Sequence, residues 1–295
     1  MTSWPAWTSG WTPPVEVETL TVATEAVAGL AALLDADPAV ATAGSPLPVL
    51  WHWVALARWP AMAMTGPDGH PAPGDLMPAS PYPRRMWLGT NVNVAAAPVI
   101  GSTVTVERTV VDVTEKSGGS GTFAIVTMRT TIRSADEQLL LTEDTQFAYR
   151  PAAETEAAPQ DPPAALRVES GTWLTAAGDG WAVAPNPVVL ARFSALTANG
   201  HRIHYDVPYV TQVEGYSNVL VHGPLMATLL AEVARRDGAG RTMSGFSCRA
   251  RRPFFLGNAA RVRLSRVSDE QLDLSLDDAS GSGDGSYMTA SVTYG

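Results

Sequence analysis

The chain has 295 residues, 45% of them hydrophobic, which is enough for two ordinary domains with buried cores. Its formal net charge of −9 removes the electrostatic footprint of a nucleic-acid partner. The lone Cys248 excludes an intrachain disulfide and any multi-cysteine metal site, and with Lys116 as the only lysine, Schiff-base catalysis is nearly excluded.

The N-terminus, Met1-Thr2-Ser3-Trp4-Pro5, lacks the basic start and apolar run of a signal peptide, and no apolar run is long enough to span a bilayer. A soluble cytoplasmic protein without a membrane partner is expected. Val22, Ala23, Ala26, Val27, Leu30, Leu33 and Leu34 then recur at helical spacing, predicting a helix over Val22–Leu34 with Thr21 as N-cap and Glu25 near its positive end. Val104–Val113, Thr122–Ser134 and Leu139–Tyr149 are rich in Val, Ile, Thr and aromatics with partial alternation, which predicts antiparallel strands.

The stretch from Pro151 to Pro163 is made largely of Ala, Pro, Glu and Gln without apolar periodicity, and it divides the chain into 1–152, a linker at 153–165, and 166–295. An irregular stretch follows, then a helix from about Gly223 to Arg236 and strands near Ser244–Arg252, Arg261–Val267, Asp273–Leu276 and Met288–Tyr294. Asp277–Gly285, rich in Ser, Gly and Asp, reads as a turn between strands. Helix followed by strands in each half implies an α+β class.

The GxSxG, HExxH, P-loop and post-strand GxGxxG motifs are absent, and the acidic residues show no tight pair suited to a metal or a glycosidase. Three of the five histidines fall in one stretch, Leu196-Thr197-Ala198-Asn199-Gly200-His201-Arg202-Ile203-His204-Tyr205 and then His222-Gly223-Pro224 at a helix start. This arrangement resembles the MaoC-like (R)-specific enoyl thioester hydratases, and most closely the branch containing mesaconyl-C4-CoA hydratases and type 2 3-hydroxyacyl-thioester dehydratases. In the first half, Leu50-Trp51-His52-Trp53, Asp68-Gly69-His70-Pro71, Pro83-Arg84-Arg85-Met86-Trp87 and the segment from Lys116 to Gly121 look like the N-terminal domain of that branch.

The resemblance implies a double hotdog: two hotdog domains in one chain, each a long helix wrapped by an antiparallel sheet. The first would be degenerate and accommodate the acyl chain, and the second would carry the chemistry. It implies an α,β-unsaturated acyl thioester as partner, on CoA or an acyl carrier protein, with CoA or phosphopantetheine as part of the substrate, no separate cofactor and no metal. A homodimer is expected. The common pattern has Asp where Asn199 stands and Asn where His201 stands, while His204 matches the catalytic histidine. An amide cannot accept a full proton, so His204 is expected to do the acid/base work and Asn199 to orient. Backbone N–H groups at Gly223 would form the oxyanion hole.

Ala198 stands where the branch usually has a bulky aromatic, which leaves room beside the nucleophile. Ala198, His201, Tyr205, His222, Arg84, Arg85 and His52 complete the expected substrate-binding set. Bland alternatives remain open: Asn199 as a turn residue, His222 as the anchor of a helix entrance, His52 as packing, and Arg84, Arg85, Arg249, Arg251 and Arg252 as solvated cations. For function, addition of water competes with addition of glycine followed by thioester hydrolysis, with a simple thioesterase, and with a non-catalytic acyl-thioester binder.

Overall fold

The structure is a computed structural model that describes residues 4–72, 76–118, 121–151, 171–238, 240–279 and 285–295. The expected linker and the tip of the Asp277–Gly285 turn lie outside the described residues. In the first half the elements are β1 (Glu16–Thr21), α1 (Thr24–Leu33), α2 (His52–Ala55), β2 (Arg84–Val94), β3 (Thr103–Gly118), β4 (Gly121–Ser134) and β5 (Leu139–Arg150). The second half contributes β6 (Leu174–Ala177), β7 (Gly180–Val183), α3 (Pro187–Leu196), α4 (Val207–Gln212), α5 (Gly223–Asp237), β8 (Met243–Ala250), β9 (Ala260–Arg266), β10 (Gln271–Asp278) and β11 (Ser286–Tyr294).

Period-two patterning makes the strands. In β10, Leu272, Leu274 and Leu276 are buried while Asp273, Ser275 and Asp277 alternate toward the other face. In β4, Ala124, Val126 and Ile132 do the same. All eleven strands form one antiparallel sheet of order β1-β3-β4-β5-β2-β8-β11-β10-β9-β7-β6. Outward from the centre, β2-β5-β4-β3-β1 repeats the topology of β8-β11-β10-β9-β7, so the chain holds two copies of one plan joined where β2 pairs with β8. Thr90 faces Cys248 and Val92 faces Phe246 across that seam.

α5 lies against β2, β8, β10 and β11, with Leu225 through Ala234 all buried. Its one buried carboxylate, Glu232, accepts from Arg235 and Arg236 in the last turn, where cations also suit the helix dipole. Ahead of β2, the first half forms only the single α-helical turn α2, so among the described residues the expected long helix before the central strand occurs in one half alone. Pro60, Pro67, Pro71, Pro73, Pro78, Pro81 and Pro83 follow α2 in close succession, and proline cannot continue a helix.

α1 starts two residues later than expected. Thr21 ends β1 instead of capping the helix, because the Val22 and Ala23 amides donate to Ser102 O and Ala55 O. The carbonyls at its C-terminal end accept from the other half: Trp173 Nε1 donates to Leu33 O at 2.7 Å and Arg236 Nη2 to Leu34 O at 2.7 Å. A smaller cluster at the far end of the long strands, Val110, Val113, Ala124, Val126 and Tyr149, is covered by Trp4, Trp7 and Trp11. No described helix is long and apolar enough to cross a membrane.

Beside the seam, Glu143 of β5 is buried and accepts four hydrogen bonds: His52 Nε2 at 2.8 Å, Trp53 Nε1 at 2.9 Å, Thr90 Oγ1 at 2.7 Å and Thr145 Oγ1 at 2.9 Å. Burial opposes its ionisation, but the His52 charge and these donors outweigh burial and hold the carboxyl below its ordinary range. His52→Ala removes a partner from a buried carboxylate and is expected to lower the unfolding free energy by about 3 kcal/mol or more, read from chemical denaturation at neutral pH.

Candidate active site

The stretch with three histidines is shaped by local turn chemistry. Asn186 caps α3 by accepting from Val188 N and Val189 N, and Pro187 opens its first turn. After Thr197 the chain leaves the helix through Ala198, whose φ of 50° is left-handed and costs a non-glycine residue about 1 kcal/mol. Asn199 Oδ1 then accepts from His201 N at 2.9 Å, closing an Asx turn. A short helical turn over Arg202–His204 follows, held by the Arg202–Asp206 ion pair, and Asp206 in turn caps α4 through Tyr209 N.

A loop of the first half docks on this turn. Gly69 has φ of 88°, and a Cβ placed on it would lie 1.9 Å from Gly200 O, so the two loops meet backbone to backbone at a pair of glycines. Arg202 N donates to Asp68 O at 2.8 Å across the same contact. Asp68 accepts from His70 twice, Oδ1 from the backbone N–H at 3.0 Å and Oδ2 from ring Nδ1 at 2.9 Å.

The result is a row of four imidazoles. His70 lies 3.8 Å from His201 by ring centroids, His201 stands edge-on to His204 at 5.6 Å, and His204 stacks on His222 at 3.6 Å. Phe193 of α3 closes the inner end at 5.1 Å, where His222 Nε2 is 2.8 Å from Ser194 Oγ and Nδ1 has no protein partner. His222, the N-cap residue of α5, is fully buried, and His204 and His201 nearly so.

Burial removes the solvent that would stabilise an imidazolium, so all four rings are pushed toward the neutral form. His204 is pushed down to about 4, burial outweighing its bond to Leu220 O. His222 and His201 are lowered by burial and by the neighbouring rings. His70 is lowered by burial and by Arg85, with Asp68 opposing. Burial works against ionisation of Asp68, but the His70 bonds and charge outweigh it and hold the carboxyl low.

Two tautomers follow from the partners. Leu220 O can only accept, so His204 Nδ1, 2.8 Å away, carries the proton and Nε2 presents its lone pair. The Asp68 carboxylate likewise holds a proton on His70 Nδ1, so that Nε2 is an acceptor in the neutral ring and a donor in the cation. A neutral imidazole with an exposed lone pair is the form a general base requires.

Gly223 opens α5 beside His222. The first helical turn carries N–H groups without intrahelical acceptors, which suits a developing negative charge. A Cβ on Gly223 would lie 2.6 Å from Trp87 Cε3, so the glycine lets the helix start approach the β2 ring. Trp87 in turn stands edge-on to Trp53 at 6.2 Å, linking this helix start to the first half.

The fold thus gathers Asn199, His201, His204, His222 and Gly223, with Ala198 at the corner that aims them. Three expected contacts are not in the row. Tyr205 is 59% exposed with its hydroxyl on Gly200 O, Arg84 is held by Glu214 at 2.7 Å, and His52 is committed to Glu143. Arg85 lies over Phe147 and exerts its charge on His70 and His201. Asp68 and His70 were not among the expected site residues, although Asp68-Gly69-His70-Pro71 carried part of the resemblance; the residues they meet, Arg202 and His201, are some 130 residues away. Among the described residues, Asp68, His70 and His201 also have the ligand types of a metal site, with ligand atoms within 4.8 Å of one another, but Asp68 and His70 already satisfy each other.

The family described as hydroxyacyl-thioester dehydratase type 2 matches residues 50–256. The mesaconyl-C(4)-CoA hydratase of Chloroflexus aurantiacus is 38% identical over 295 residues, covering 99% of this chain and 98% of that protein. Among solved structures, a MaoC-like dehydratase aligns with a TM-score of 0.69 at 12% identity, covering 98% of this chain and 99% of the other. A Mycobacterium tuberculosis protein with a double hotdog fold aligns with a TM-score of 0.57 at 15% identity, covering 99% of each. The fold is therefore the expected α+β double hotdog.

Because His204 has a folded-state value of about 4 against 6.5 unfolded, its contribution to stability is complete above 6.5 and is lost as pH falls from 6.5 to about 4. His201 and His222 act in the same direction. Thermal melts are expected to show a falling midpoint through this window, with a shallower fall for His204→Gln.

Proposed function

The chain belongs to the hydroxyacyl-thioester dehydratase type 2 family, and from that premise we propose that it is an enzyme that adds water across the α,β-double bond of an enoyl thioester and removes it in reverse. The observation that carries the proposal is His204: buried, neutral, and locked by Leu220 O with Nε2 as its acceptor, beside the start of the only long helix among the described residues.

The β-carbon of an enoyl thioester accepts a nucleophile while charge moves to the thioester oxygen. His204 Nε2 takes the proton of water as the oxygen–carbon bond forms. Backbone N–H groups in the first turn of α5, beginning at Gly223, receive the enolate oxygen; a donor of this kind is worth ~3 kcal/mol in the barrier. Pro224 costs nothing there, since its missing N–H has no intrahelical acceptor to serve.

Asn199 Oδ1 is occupied by His201 N, so its Nδ2 amide is the group left to orient water or substrate. Ala198 leaves space beside the nucleophile, and the first half, with one turn in place of a long helix, gives the acyl chain room. CoA is the proposed carrier, supported by the named substrate of the 38% identical relative. No cofactor beyond the thioester's own CoA or phosphopantetheine arm is needed for this chemistry.

The test is mass spectrometry of crotonyl and medium-chain enoyl thioesters, on CoA and on an acyl carrier protein, incubated with the protein with and without glycine while free thiol is followed. A water adduct that keeps its thioester is expected, and His204→Ala is expected to lower the rate by ~100-fold or more. A glycine adduct with thiol release would replace this assignment by the addition-and-hydrolysis reaction. Thiol release alone would make the protein a thioesterase, and binding without turnover would make it a binder.

A further inference from the structure

Hydration moves two protons: one leaves water as the bond to the β-carbon forms, and one arrives at the α-carbon as the enolate returns to a thioester. His204 Nε2 accounts for the first. The amide of Asn199 can neither take nor give the second.

Three other imidazoles stand in the row. His222 is fully buried behind His204 and bonded to Ser194 Oγ. His201 is held between two rings, and the charges of His70, His204 and Arg85 all disfavour its cation. His70 differs from both in having a carboxylate, with Asp68 Oδ2 2.9 Å from Nδ1, and its side chain is 20% exposed at the outer end of the row. The pair is anchored across the contact between the halves by Arg202 N on Asp68 O and by the Gly69–Gly200 approach.

We propose that the Asp68–His70 pair, supplied by the first half, is the second proton carrier of the site and delivers to the α-carbon the proton that Asn199 cannot. The inference rests on the hydratase assignment. In the hydration direction, the water oxygen bonds to the β-carbon and its proton passes to His204 Nε2. The electron pair of the double bond is taken up as the enolate, and the α-carbon then bonds the Nε2 proton of His70 in its cationic form, the form that Asp68 favours, which leaves the neutral ring with its proton on Nδ1. The cation left on His204 returns its proton to His70, directly by solvent or through His201, which lies between the two rings, and the site is reset with one water consumed.

The charged groups that act on His70 are Asp68 and Glu214, which favour its cation, and Arg85, which opposes it; His201 presses on its ring. Asp68→Asn removes the nearest stabilising charge, so the pH at which His70 gives up its proton falls. Activity that needs the protonated ring is lost as pH rises through that value, and the alkaline limb of the kcat profile therefore moves to lower pH in Asp68→Asn.

The experiment measures hydration of crotonyl-CoA by the full chain across pH for wild type, His70→Gln and Asp68→Asn, with circular dichroism to establish folding. His70→Gln is expected to lose ~100-fold or more in kcat with little change in KM. Asp68→Asn, which keeps the side-chain shape, is expected to lose less and to shift the alkaline limb downward. Folded variants with wild-type kcat, or a loss confined to KM with the limb unmoved, would overturn the proposal; Asp68→Asn decides alone if His70→Gln does not fold. Absence of hydration in the wild-type arm would instead overturn the hydratase assignment, and the proposal with it.

Discussion

Backbone pairing between β2 and β8 is the constraint on which the rest of the structure depends. It turns two five-stranded plans into one continuous sheet, so the inner face of each half is fixed relative to the other by ladder hydrogen bonds as well as by side-chain packing. The first-half loop at 66–70 can then meet the second-half turn at 199–204 with backbone-to-backbone precision. That contact tolerates no side chain: Gly69 and Gly200 are the residues that allow it.

The halves share a topology but differ in their fillings. The second half wraps α5, whose start presents Gly223 and whose N-cap is His222. At the equivalent place the first half has α2 and a proline-rich segment, and the polar side chains there are satisfied around Glu143. His52 and His222 each sit at the start of a helix, with opposite surroundings. One is bound to a buried carboxylate, and the other stacks on a neutral ring.

That difference organises the electrostatics of the site. Desolvation of closely spaced imidazoles makes the cation of each costly, and each ring raises the cost for the next. Such a row keeps its buried inner rings in the neutral, basic form. Asp68, from the first half, and Glu214, from the second, supply the compensating charge at His70. The electrostatics of the row are therefore set by both halves together.

The sequence by itself determined the α+β class, strands β3 to β5 and β8 to β11 and the helix at Gly223, because apolar periodicity and the His-Gly-Pro start are local signals. It also made Asn199, His201, His204 and His222 visible as neighbours, being close along the chain. β1, β2, β6, β7, α3 and α4 were not legible: β1 is an exposed edge with glutamates, β2 begins amid prolines and arginines, and the others are short. Tertiary structure alone decided that α2 replaces a long helix in the first half, that Arg84 and His52 are taken up by Glu214 and Glu143, and that Asp68 and His70 join the row. Each of these is set by partners far away in the chain, and pairing of that kind is decided by register and burial, which no local pattern of residues encodes.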